Sequence, residues 1–173
     1  MGKTVYKDLF SNIAYATVTE SAADTLTFAE IQTGVAVHQK VAWVINRILW
    51  YLTPASQALV TAISDSLSMA LVLNNKVSDL SDLSDPAIVD VLTLMTVHFG
   101  TAASGERLIA PILRDFSGLP GGGLIITPKP LYIAAQGVSL GAVSTCSCRI
   151  FYTIKELAAD EFWELVQASR IVQ

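Results

Sequence analysis

The chain has 173 residues, of which 52% are hydrophobic and only 15% charged, with a net charge of −4 at pH 7. That length suits one domain spanning residues 1–173 around one core, and so little charge beside so much apolar material leaves apolar surface to meet protein. The numbers argue against a helical membrane protein, since no apolar run reaches the roughly 18 residues a span requires, and against a strong nucleic-acid binder, since the 11 Lys and Arg residues are scattered from Lys3 to Arg170.

The first residues, Met1 to Asp8, carry neither an apolar leader core nor the hydroxyl of a myristoylation signal, so no secretory or lipid address is read there. Period-2 alternation begins at Asn12, where Ile13, Tyr15, Thr17 and Thr19 oppose Ala14, Ala16 and Val18, and it predicts a strand over 12–20. A second is expected over 25–32, with Leu26 and Phe28 on one face, before Thr33-Gly34 breaks it. Residues 40–53 are rich in β-branched and aromatic side chains (Val41, Trp43, Val44, Ile45, Ile48, Trp50, Tyr51) and stop at Pro54, which predicts a long central strand buried on both faces. Asn46 and Arg47 interrupt its apolar run and mark it as protein core rather than a membrane segment.

After a stretch of small residues, 65–73 alternates with Leu67, Met69, Leu71 and Leu73 inward and Ser66, Ser68 and Ala70 outward, and Asn74-Asn75 turns the chain. The Ser-Asp-Leu repeat from Ser78 to Pro86 reads as a polar loop closed by local Asx and Ser turns. Beyond it a helix over 87–97 competes with a strand over 90–99. The β-branched content favours the strand, with Val91, Thr93, Met95, Val97 and Phe99 facing one way.

From Gly100 to Gly123 periodicity is lost, and so long an irregular segment is expected to be functional or to lie at an interface. Strands resume over 124–127, 131–136 and 143–157, while Pro128 and Pro130 are expected to kink their region or hold it at an edge. In the last strand Cys146, Cys148, Ile150, Tyr152 and Ile154 share a face, which makes the two cysteines reduced core thiols rather than a disulfide. A helix over 158–168, the only convincing one, closes the pattern, with acidic Asp160 and Glu161 in its first turn and Phe162, Leu165 and Val166 as its apolar stripe. The sum is an all-β chain: a single jelly-roll β-sandwich of about eight strands with a short C-terminal helix.

The chemistry-bearing residues form no catalytic or metal constellation, so no enzyme, cofactor or metal is expected. His38 and His98 lie far apart without a nucleophile signature, and there is no HExxH or CxxC pattern. Gly118 to Gly123 lacks the Lys-Ser/Thr ending of a phosphate loop and leads into a strand, so it reads as a flexible turn. Asp79, Asp82 and Asp85 suit a solvated acidic loop better than a calcium site between subunits. The acidic cluster Glu156, Asp160, Glu161 and Glu164 is explained by helix capping and solvation, and Trp43 and Trp50 by burial.

The segment Gly122-Gly123-Leu124-Ile125-Ile126-Thr127-Pro128-Lys129-Pro130-Leu131-Tyr132-Ile133-Ala134-Ala135-Gln136-Gly137, followed by Arg149-Ile150-Phe151-Tyr152-Thr153-Ile154-Lys155-Glu156-Leu157, resembles the last strands of small single jelly-roll coat proteins of viruses. The resemblance covers about residues 120–173. It implies a structural protein, a major capsid subunit made in the host cytoplasm and carried in the virion, whose partners are copies of itself in pentamers or hexamers. The chain departs from many such proteins in lacking a basic N-terminal arm, which weighs against direct genome binding. A shell over an internal membrane, or one whose genome is handled by another capsid protein, removes the need for an arm.

Self-assembly is expected to use the irregular segment and the C-terminal helix, with Gly121, Gly122, Gly123, Phe162, Trp163, Leu165 and Val166 as candidate interface residues. Glycines let backbones approach closely, and the helix carries more apolar width than one edge of a sandwich covers. Two other classes fit the same composition: a non-viral self-assembling subunit of a surface layer, filament or compartment, and a jelly-roll carbohydrate- or ligand-binding module, which would present a concave exposed aromatic patch.

Overall fold

The structure, a computed structural model, describes residues 12–32, 40–62, 64–95, 111–127 and 130–171. Alternating and β-branched runs extend the chain into nine strands among these residues: β1 (Asn12–Thr19), β2 (Thr27–Ile31), β3 (Val41–Leu52), β4 (Ser66–Val72), β5 (Ile88–Met95), β6 (Ile112–Asp115), β7 (Leu124–Ile126), β8 (Leu131–Val138) and β9 (Thr145–Glu156). Two helices, α1 (Pro54–Leu59) and α2 (Ala159–Ile171), complete them.

The strands form two antiparallel sheets, one ordered β1-β9-β3-β6 with β7 also on β3, the other β2-β8-β4-β5. Both β6 and β7 pair with the edge of β3 that β9 leaves open, β6 along 47–50 and β7 along 43–45. They are two halves of one interrupted edge strand, so the nine strands fill the eight positions of a jelly roll. The inner faces of both sheets meet in a core built on Ile45, Ile48, Trp50, Leu67, Met69, Leu71, Ile133 and Ile150. Cys146 and Cys148 are free and buried in that core, as the shared face of the last strand predicts.

Several expectations need correction. The described part of the irregular segment contains β6, whose four residues are too few to carry a pattern of their own. A second helix, α1, follows Pro54: the Thr53 hydroxyl accepts from Ser56 N at 3.2 Å, and Pro54 takes the first turn, where a missing N–H costs nothing. The proline-flanked region divides: β7 is at an edge, but β8 lies between β2 and β4 in the interior of its sheet. The segment following Pro86 is a strand, β5, as its β-branched content favours. No helix among the described residues is long and apolar enough to cross a membrane.

Candidate functional site

The outer faces of the two sheets have different fates. On the β2-β8-β4-β5 sheet the connection from β4 to β5 folds back, laying Val77, Leu80 and Ala87 over Ala70, Val72 and Ala134. Ala70, expected to face solvent, is therefore fully buried, because a polar-looking loop supplies its own apolar plug. The loop is held by the predicted Asx turns. Asp79 accepts from Ser81 N at 2.8 Å, Asp82 from Ser84 N at 3.0 Å and Asp85 from Ala87 N at 2.8 Å. Among the described residues no three His, Cys, Asp or Glu side chains gather into a metal site. His38 and His98 lie outside the described residues.

On the β1-β9-β3-β6 sheet the outer face is divided by a bulge at Asn46, where the β3–β9 register shifts between Ile45 and Arg47. The extra residue changes which alternate side chains point inward: Ile45 before it, then Ile48, Trp50 and Leu52 after it. Before the bulge the outer face is covered. Phe162 and Val166, one turn apart on α2, pack with Leu157 on Ala42 of β3. Asn46 also pins both halves of the interrupted strand, since its carbonyl accepts from Phe116 N at 2.7 Å and its side-chain amide donates to Gly122 O at 2.6 Å.

After the bulge the same face is open, and strand registers lay its side chains out in rows. Ile13, Phe151, Arg47 and Asp115 lie across the sheet in one row, and Tyr15, Arg149, Leu49 and Leu113 in the next. Thr17, Ser147 and Tyr51 form a third. Ile13 is 61% exposed, Tyr15 65% and Leu113 53%, large apolar groups on a face that nothing described covers. Arg47 and Asp115 are paired at 3.0 Å. Side-chain hydrogen bonding with Ser147, and next with Thr17, holds the Tyr15 phenol below its ordinary pKa. A groove of about 540 Å³ runs between Tyr15 and Tyr51, floored by Leu49 and bounded by Pro111 and Arg149.

The candidate residues from the sequence fall in two places, both hung on β3. Of the helix, Phe162 and Val166 are buried within this copy, Leu165 is half-buried, and Trp163 stands 56% exposed, edge-on to Phe162 at 6.0 Å. Gly121 (φ 89°) and Gly122 (φ 84°) turn the chain in left-handed conformations, and Gly123 lies so close to Ile45 that a β-carbon would clash with its carbonyl. The close backbone approach at Gly123 is thus to β3 of the same copy. The open face of Ile13, Tyr15, Leu49, Tyr51, Leu113 and Arg149 was not singled out in the sequence. One signal lay in β1, where the larger side chains alternate against alanines and the small ones turn inward.

No family model matches the sequence, and no curated protein matches it. Among solved structures the fold is shared with VP1 of Trichodysplasia spinulosa-associated polyomavirus, at 8% identity and a TM-score of 0.54, covering 89% of this chain and 98% of that one. A structure of Desmodium yellow mottle tymovirus matches at 8% identity and a TM-score of 0.30, covering 86% of this chain and 85% of that one. The 60-mer BFDV capsid protein matches at 10% identity and a TM-score of 0.31, covering 85% and 93%. The likeness to the polyomavirus protein is one of fold: it shares the two-sheet antiparallel sandwich read from the sequence.

Proposed function

We propose that this chain is a major capsid subunit, located in the virion, that assembles with copies of itself into a shell through pentameric or hexameric capsomers. The observation that carries this reading is the open outer face of the β1-β9-β3-β6 sheet, with Ile13, Tyr15 and Leu113 exposed on a jelly roll of the polyomavirus VP1 type. A face with that much exposed apolar surface lowers its free energy by meeting protein, roughly 25 cal/mol for each Å² removed from water. Trp163 and the turn at Gly121 to Gly123 contribute to contacts from the same sheet, and the role is structural rather than enzymatic. Light scattering and electron microscopy of the purified chain test it: rings or closed shells are expected at micromolar concentration.

The groove favours one second reading, because its two tyrosines stand beside the hydroxyls of Thr17, Thr53 and Ser147, the mixture of aromatic and polar groups that suits a sugar. A chain that remains monomeric and binds oligosaccharide selects that reading instead.

A further inference from the structure

The two outer faces carry complementary features that cannot meet within one copy. On the β2-β8-β4-β5 side, the three Asx turns present a stiff acidic loop. It is anchored at one end by Leu80, buried and held through its N–H by Gln136 at 3.1 Å, and at the other by buried Ala87. At its tip Leu83 is 74% exposed between Asp82 and Asp85, the most exposed large apolar side chain among the described residues. Exposing leucine is unfavourable, and the turns that hold it out have already lost the conformational freedom that binding would otherwise remove.

On the opposite side of the sandwich lies the groove between Tyr15 and Tyr51, apolar along its floor and positive at Arg149, which has no carboxylate partner among the described residues. We infer that the Asp79–Asp85 loop of one copy docks in this groove of a second copy, with Leu83 against Leu49 and the two tyrosines and the loop carboxylates facing Arg149. The inference rests on the capsid-subunit reading and deepens it by naming the two surfaces that meet. A second copy is the occupant because knob and socket, acid and base, stand on opposite faces of this same chain. Such a contact joins unlike surfaces, so successive copies run head to tail and close into a ring where the rotation between them permits.

Cross-linking tests it. Leu83→Cys protein is mixed with Tyr51→Cys protein, in the presence of a short bis-maleimide, at concentrations where the wild type assembles; the native thiols are buried and do not compete. The expected product is a covalent dimer in the mixture and not in either variant alone. Leu83→Asp, at an exposed position that leaves circular dichroism unchanged, is expected to raise the concentration needed for assembly at least tenfold. If the wild type assembles but the mixture gives no dimer and Leu83→Asp assembles normally, the loop-in-groove contact is wrong and the capsid reading stands. If the wild type stays monomeric at every concentration, both fall.

Discussion

Trp50 Nε1 donates a 2.9 Å hydrogen bond to the carboxylate of Asp90 across the interior of the sandwich, from β3 in one sheet to the edge strand β5 of the other. The second oxygen of Asp90 accepts from Arg114 Nε at 3.2 Å, so one buried carboxylate ties β3 and β6 to the facing sheet. Removing it strands an indole N–H in the core, where an unmet donor costs about 1–3 kcal/mol. Asp90→Ala is therefore expected to lower unfolding stability by about 3 kcal/mol. Asp90→Asn keeps an acceptor for Trp50 and is expected to cost about a third of that. Denaturant titration of the two variants gives the comparison, and equal losses would show that the Trp50 contact contributes little.

Glycines 118 and 123, five residues apart in the same connection, should respond oppositely to alanine. At Gly123 a β-carbon meets the Ile45 carbonyl, with the carbonyl carbon only 2.9 Å away, whereas at Gly118 nothing lies within 4 Å. Gly123→Ala is expected to destabilise by about 1–3 kcal/mol, as overpacking against backbone does. Gly118→Ala is expected to be neutral or slightly stabilising, because it restricts the unfolded chain. Thermal melts of both decide it.

The jelly roll is legible because its strands carry their own alternation, and the Cys146–Ile150–Tyr152 face of β9 follows from period 2 alone. The Asx-turn loop was likewise legible, since each Asp sits two residues before the N–H it accepts. What was not legible depends on pairing across long stretches of chain. β6 has four residues, two of them charged, and becomes a strand by lying along Arg47 to Trp50 of β3. Ala70 is buried by a loop whose plug residue, Leu80, is hidden inside an acidic repeat. The open face draws its rows from β1, β9, β3 and β6, and although Asn46 and Arg47 break the apolar run of β3, that break does not by itself reveal the register shift that decides which side chains join the face. By contrast α1 carries a local signal, Thr53-Pro54 as cap and first turn.

The two thiols give a pH dependence. Burial, then the nearby charge of Glu20, pushes Cys146 up to about 12, and burial pushes Cys148 up to about 12, from an ordinary 9.0. The folded state therefore holds its thiol protons where the unfolded chain releases them. Stability is full below about pH 9 and falls as pH rises above it, by about 1.4 kcal/mol per pH unit for each thiol. Unfolding measurements between pH 8 and pH 11 are expected to show this slope in the wild type and a shallower one in Cys146→Ala/Cys148→Ala. Equal slopes would place the thiols in contact with solvent.

Trp163 separates folding from assembly, because its exposed ring contributes little to the domain while Phe162 beneath it packs on Ala42. Trp163→Ala is expected to preserve the β-rich circular dichroism spectrum and to weaken assembly by about 2 kcal/mol, the usual effect of truncating a large aromatic within an interface. Phe162→Ala is expected to loosen α2 itself. If Trp163→Ala assembles as the wild type does, α2 is not a contact element.

The most direct test of the account is the size of the wild-type particle as a function of concentration, followed by light scattering and by negative-stain electron microscopy of the same samples. A capsid subunit whose open sheet face meets its own copies gives rings or closed shells of uniform diameter above a micromolar threshold. A monodisperse monomer through the hundred-micromolar range, with Tyr15 and Tyr51 still solvent-exposed, would contradict it.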